Sequence, residues 1–138
     1  MNKYTELKDK HSKMVNEFPM AFAFSNEQFE QAKQKLGVKS NDELLGIAGG
    51  GMIRKTDLES YRNLHETITE ENENAFLDDE YLYQGLLYEL ANHEYGITYC
   101  ADDTLDCFCL TMDDVRMDER IYPIFKRAQK DYLDTFVY

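Results

Sequence analysis

Apolar residues recur at helical spacing along much of the chain. Leu7, Met14, Val15 and Phe18, with His11 on the same stripe, predict an amphipathic helix over about 4–17 that Pro19 ends. Met20-Ala21-Phe22-Ala23-Phe24 reads as a short buried strand. Ser25 with Gln28 forms a capping-box pattern for a second helix, which buries Phe29, Ala32 and Leu36 and stops at Gly37. Ser40 with Glu43 predicts a short third helix, broken by Gly46 and by Gly49-Gly50-Gly51; Met52-Ile53-Arg54 then reads as a brief strand. Thr56 with Glu59 opens a helix carrying Leu58, Tyr61, Leu64, His65 and Ile68, which should fray into a loop over the polar run 70–74.

Asp78 or Asp79 caps a helix over about 79–92. Its apolar residues Tyr81, Leu82, Leu86, Leu87 and Leu90 cover most of the circumference, the pattern of a central helix, and Gly85 leaves room for a close neighbour. Residues 97–100 read as a strand; 104–110 suit a strand by alternation and a helix by their cap, and as a strand over 105–110 they would complete a hairpin across Asp102-Asp103. Thr111 and the acids after it start a helical turn. A last helix over about 119–134 aligns Ile121, Phe125, Ala128, Tyr132 and Phe136 on one stripe, with Pro123 in its first turn. The expected fold is α+β, one mostly helical domain over 1–138 with a small antiparallel sheet of short strands.

Length and composition fit that reading. The 138 residues are 43% hydrophobic, with 10 Tyr and 8 Phe, enough for a core despite 30% charge. No run approaches the roughly 20 apolar residues of a membrane span, and the N-terminus lacks a signal-peptide apolar segment. Three Cys do not make a disulfide framework. A cytoplasmic location is expected.

Charge changes the picture most. Residues 1–55 carry 9 Lys+Arg and 7 Asp+Glu, a net of +2; residues 56–138 carry 6 and 20, a net of −14. Between 63 and 115 there are 14 acids and no Lys or Arg. Such a stretch repels nucleic acid and anionic membranes and attracts basic partners.

The chemical motifs are weak. Gly46 to Met52 lacks the Lys of a phosphate-binding P-loop, so the triple glycine reads as a structural turn; Arg54, Lys55 and the Thr56 helix start would be the donors of a phosphate site. His93, Cys100, Cys107 and Cys109 have ligand types that suit zinc but no Cys-x2-Cys spacing. Asp102, Asp103 and Asp106 lack a calcium-loop pattern. His65-Glu66 and His93-Glu94 lack the second His of a zinc protease helix, and pairing Cys100 or Cys109 with His93 as a nucleophile requires the fold. No catalytic residue, metal or cofactor is assigned.

Three segments carry a family resemblance: Phe18-Pro19-Met20-Ala21-Phe22-Ala23-Phe24-Ser25, Gly49-Gly50-Gly51-Met52-Ile53-Arg54-Lys55-Thr56-Asp57-Leu58 and Tyr88-Glu89-Leu90-Ala91-Asn92-His93-Glu94-Tyr95. Across about 18–110 the chain resembles short uncharacterised proteins of Gram-positive bacteria, their phages and mobile elements. The resemblance transfers no activity and implies a phage or mobile-element setting. Small acidic proteins of that setting resemble nucleic-acid mimics, among them anti-CRISPR and anti-restriction inhibitors. Carboxylates spaced like phosphates can fill a nuclease groove lined by Lys and Arg.

The expected function is therefore non-enzymatic binding to a basic, nucleic-acid-binding protein, without direct contact to nucleic acid or membrane. The acidic face would comprise Glu70, Glu71, Glu73, Asp78, Asp79, Glu80, Asp102, Asp103, Asp106, Asp113 and Asp114, with Tyr81, Tyr83 or Tyr99 as aromatic anchors. The alternatives are a small nucleotide- or metal-binding enzyme organised around Gly49–Lys55 and His93, an oligomeric accessory phage protein, and an immunity protein against a basic toxin.

Overall fold

The computed structural model describes residues 2–136. In chain order these form α1 (Lys3–Glu17), β1 (Ala21–Phe22), α2 (Asn26–Leu36), β2 (Leu44–Ile47), β3 (Gly51–Arg54), α3 (Leu58–Phe76), α4 (Asp79–Asn92), α5 (Tyr95–Thr98), α6 (Asp102–Asp106), α7 (Met112–Met117) and α8 (Ile121–Thr135). The class is the mostly helical α+β arrangement that the pattern predicts. The chain divides into two compact units: Lys10–Glu71, and the chain up to Asp9 together with the chain from Asn72 onward.

In the Lys10–Glu71 unit, three strands form an antiparallel sheet in the order β1-β3-β2, with Ala21 opposite Met52 and Leu44 opposite Arg54. The α2 helix lays Ala32 and Leu36 on Ala21 and Met52, with Phe29, Val38 and Leu44 packed around them. Its ends follow the predicted chemistry. Ser25 Oγ accepts from the Gln28 amide at 3.2 Å, and Gly37 takes the left-handed cap at φ 71°. Gly49 and Gly50, at φ 75° and 78°, turn the chain from β2 into β3, so the triple glycine is the hairpin corner.

Three expectations fail along this part of the chain. Thr56 does not cap a helix: it lies within a 3-10 turn, Lys55–Asp57, that leads into α3 at Leu58. Only a 3-10 turn, Asn41–Glu43, follows Ser40, and Leu44–Ile47 pairs as a strand instead of continuing a helix. Four residues before a glycine turn bury more by joining β3 than by adding one helical turn. The polar run 70–74 does not fray, and α3 continues to Phe76.

The other unit is built on α4 and α8. Leu82, Leu86 and Leu90 are fully buried among Ile121, Phe125, Ala128 and Tyr132, with Leu105 and Val115 closing the cluster. Each leucine contributes roughly 2 kcal/mol of transfer free energy. Asp78 Oδ1 caps α4 by accepting from the Glu80 and Tyr81 amides at 2.9 and 3.3 Å. Thr111 and Asp114 form a reciprocal capping box on α7. Gly85 allows the close approach expected of it, since a Cβ there would lie 2.7 Å from the Tyr4 ring and 2.8 Å from Phe108.

The hairpin expected over 97–100 and 105–110 is absent from this unit. Residues 95–98 and 102–106 are short helices. Adjacent Thr104 and Leu105 are both fully buried, which a strand with one solvent face cannot achieve. The α6 turn closes with Cys109 left-handed at φ 58°, the Cys109 amide donating to the Asp106 carbonyl and the Leu110 amide to the Leu105 carbonyl. No described helix is long and apolar enough to cross a membrane.

Candidate metal centre

Two helices each contribute a pair of side chains four residues apart, hence on one helical face, to a single cluster that a third helix completes with one side chain. From α1 come Tyr4 and Lys8. From α4 come Glu89 and His93, the latter ending that helix. The end of α6 supplies Cys107, whose sulfur also meets the Asp103 carbonyl at 3.4 Å. A further hydrogen bond, from Thr104 Oγ1 to the Glu89 carbonyl at 3.1 Å, ties α6 to α4.

Glu89 is the hub. It is only 2% exposed, and every polar atom of its carboxylate is engaged. Tyr4 donates to Oε1 at 2.9 Å, and the Lys8 ammonium lies 3.6 Å from the same oxygen. Oε2 accepts from Cys107 Sγ at 3.3 Å and from Asn92 at 3.3 Å, and His93 Nε2 lies 3.1 Å away. Burial raises the Glu89 carboxyl, but the hydrogen bonds from Cys107, Tyr4 and Asn92 and the Lys8 charge outweigh that cost and hold it below its ordinary value of 4.5. Desolvation first, and then the Glu89 carboxylate, push the Cys107 thiol up to about 11. Burial and the same carboxylate raise the Tyr4 hydroxyl.

The arrangement does not suit a nucleophilic relay. A Cys-His-carboxylate relay places the thiol on one ring nitrogen and the carboxylate on the other. Here Cys107 Sγ at 3.5 Å and Glu89 Oε2 at 3.1 Å both address His93 Nε2. A thiol raised to about 11 is also the reverse of an activated nucleophile.

Convergence is what a metal requires. Oε2, Nε2 and Sγ lie 3.1, 3.3 and 3.5 Å from one another. Bonds of about 2.0 Å to O and N and about 2.3 Å to S at tetrahedral angles place ligand atoms roughly 3.3–3.6 Å apart. Glu89, His93 and Cys107 are the candidate ligand group among the described residues. Of the four residues weighed for zinc from the sequence, His93 and Cys107 meet, whereas Cys100 and Cys109 lie outside the cluster; all three cysteines are exposed. Glu89 escaped sequence reasoning. The available signal was an acid at the third place of the Leu82, Leu86, Glu89, Leu90 stripe, where an unpartnered carboxylate would be too costly to bury.

The acidic residues singled out by sequence occupy several elements. Glu71 pairs with Lys10, Asp78 with Lys3, Asp79 with Arg120, Glu80 with Arg127 and Asp113 with Arg116. Asp114 serves the α7 cap. Glu70, Glu73, Asp102, Asp103 and Asp106 are exposed and make no ion pair among the described residues. Tyr81 is buried in the interior rather than standing beside the acids. Tyr83 is half-buried, with its hydroxyl on Asp131 and Arg127 stacked 3.8 Å over its ring. Tyr99 is 59% exposed.

The fold and cluster define a mostly helical α+β protein with a preorganised Glu-His-Cys centre. Residues 3–131 match the model of a family of unknown function, DUF7659, and the chain belongs to that family. No curated protein and no solved structure matches the chain.

Proposed function

We propose that this protein binds a divalent transition metal of the zinc class through Glu89, His93 and Cys107. The observation that carries the reading is the convergence of one O, one N and one S atom at tetrahedral ligand spacing. A carboxylate and a thiolate together neutralise a dication. Tyr4 and Lys8 hold the second Glu89 oxygen, which leaves Oε2 to act as a single ligand. Three protein ligands leave a fourth position for water or a substrate atom, the pattern of catalytic rather than structural zinc sites.

Cobalt substitution tests this. The full chain should take up one Co(II) per molecule with a thiolate-to-cobalt absorption band. Cys107→Ser should abolish the band, and His93→Ala should weaken binding at least about tenfold. A Cys100→Ser/Cys109→Ser variant should behave as wild type. Wild-type affinity in both Cys107→Ser and His93→Ala, with folding confirmed by circular dichroism, would overturn the assignment. Because the Cys107 thiol must lose its proton, affinity should rise with pH across the neutral range, with proton release seen as buffer-dependent binding enthalpy.

A second reading draws on charge. The exposed Asp102, Asp103 and Asp106 sit together on α6 without a cation among the described residues, within the 53-residue stretch that has no Lys or Arg. They support engagement of a basic protein. In a phage or mobile-element setting this would be a nucleic-acid-binding host factor that the protein inhibits by mimicking nucleic acid.

A further inference from the structure

We infer that the unit built on α4 and α8 holds a second binding site, separate from the metal ligands, for a planar aromatic ring that carries an anionic group. A cavity of about 340 Å³ opens between the α5 turn, α7 and α8. That volume lies at the lower end of the range used by small-molecule sites, roughly 300–1,000 Å³. Its walls are aromatic and apolar: Tyr95, Tyr99, Tyr122, Phe125 and Met112. Tyr95 and Tyr99 meet edge to face at 5.9 Å, and Tyr122 is 41% exposed.

Two of its polar groups are cationic donors. This unit carries 7 Lys+Arg against 17 Asp+Glu, a net of −10, yet two of its cations, Arg116 and Lys126, line this cavity. Of the five cations between 116 and 130, Arg120, Arg127 and Lys130 are held by Asp79, by Glu80 and Asp131, and by Asp134. Lys126 makes no ion pair among the described residues; its ammonium donates to Gln129 Oε1 at 2.9 Å. Gln129 in turn donates to the Tyr95 hydroxyl at 2.6 Å. That hydroxyl therefore keeps its own hydrogen to offer. Arg116 holds Asp113 by one contact of 3.3 Å between two exposed side chains, a pair weak enough to exchange for a ligand oxygen.

The backbone is strained at the same place. Glu94 and Tyr99, neither of them glycine, both adopt the left-handed region, at φ 55° and 54°, on either side of α5. Such strain is costly for a residue with a Cβ, and it gathers at ligand clamps. Tyr95 and Tyr99, both on the cavity wall, lie within this segment. Stacking on these rings would supply sequence-blind affinity for a flat ring, and Lys126, Arg116 and the Tyr95 hydroxyl would take the anion.

Calorimetric titration of the full chain with AMP, adenosine, phenyl phosphate and inorganic phosphate tests the site. AMP should bind saturably, and adenosine and inorganic phosphate should each bind about tenfold more weakly or less. Equal binding of phenyl phosphate would support the same ligand class without a need for the nucleobase. Lys126→Glu and Tyr122→Ala alter exposed side chains, so folding should persist; each should weaken AMP about tenfold. No saturable AMP or phenyl phosphate binding up to roughly millimolar concentration would overturn the inference. So would inorganic phosphate binding as well as AMP, or wild-type AMP affinity in Lys126→Glu. EDTA should leave AMP binding unchanged, since the cavity shares no residue with the metal centre.

Discussion

At the scale of single residues, two buried polar groups stand in contrast. Glu89 is buried with every oxygen engaged, and its neighbours come from three helices. His11 is also buried, on the apolar stripe where the sequence pattern puts it, but its Nε2 has no hydrogen-bond partner. Glu71 Oε1 lies 3.7 Å away, beyond hydrogen-bond reach, and Glu71 is already held by Lys10. An orphaned buried nitrogen costs on the order of 1–3 kcal/mol. His11→Leu, close in volume, is therefore expected to stabilise the protein by about 1 kcal/mol near pH 8, read as a higher urea midpoint. The stripe position of His11 was legible in the sequence. Its missing partner was not, because that depends on where α3 brings Glu71.

At the scale of elements, caps and turns were the legible part. The Ser25, Asp78 and Thr111 caps form as local chemistry dictates. The β2–β3 corner offers a matched test. Gly50 has φ 78°, and a Cβ would come within 2.6 Å of the Phe24 ring, whereas Gly46 has open space and an ordinary φ. Gly50→Ala should lower the thermal midpoint, by an amount equivalent to about 1–2 kcal/mol, while Gly46→Ala should be neutral or slightly stabilising. Equal effects would show that the corner does not need its left-handed glycines. The segments misread as strands, 97–100 and 105–110, carry alternating apolar residues that suit either period. Their choice comes from partners outside them: the Gly96 amide donates to the Tyr132 hydroxyl at 3.1 Å, and Thr104 bonds the Glu89 carbonyl.

At the scale of the whole molecule, the acidic excess decides what the surface can attract. Several of the acids read from the sequence as one face already hold a cation, and Asp78 caps a helix, so reversing them would disturb folding as well as binding. Burial aside, the Lys3 hydrogen bond and the amides of the α4 cap hold the Asp78 carboxyl below its ordinary 3.8. The stability it lends is thus present above that value and lost as pH falls through the lower folded one. Asp102, Asp103 and Asp106 are the cleaner probe of a basic partner. Changing the three to Lys should abolish salt-sensitive capture of basic proteins from host lysate, with the circular dichroism spectrum unchanged. Undiminished capture by that variant would remove the support for the charge reading.

The amino-acid sequence alone determined the class of fold, the central apolar helix α4 and the apolar stripe of α8, the Ser25, Asp78 and Thr111 caps and the uneven charge. Each of these follows from local periodicity or from counting. The tertiary structure alone decided that Glu89, His93 and Cys107 converge, that Cys100 and Cys109 stay outside, and that Lys126 lines a cavity while making no ion pair among the described residues. The physical reason is separation along the chain. Glu89 and Cys107 lie on different helices, and the packing of those helices brings a carboxylate and a thiol within 3.3 Å.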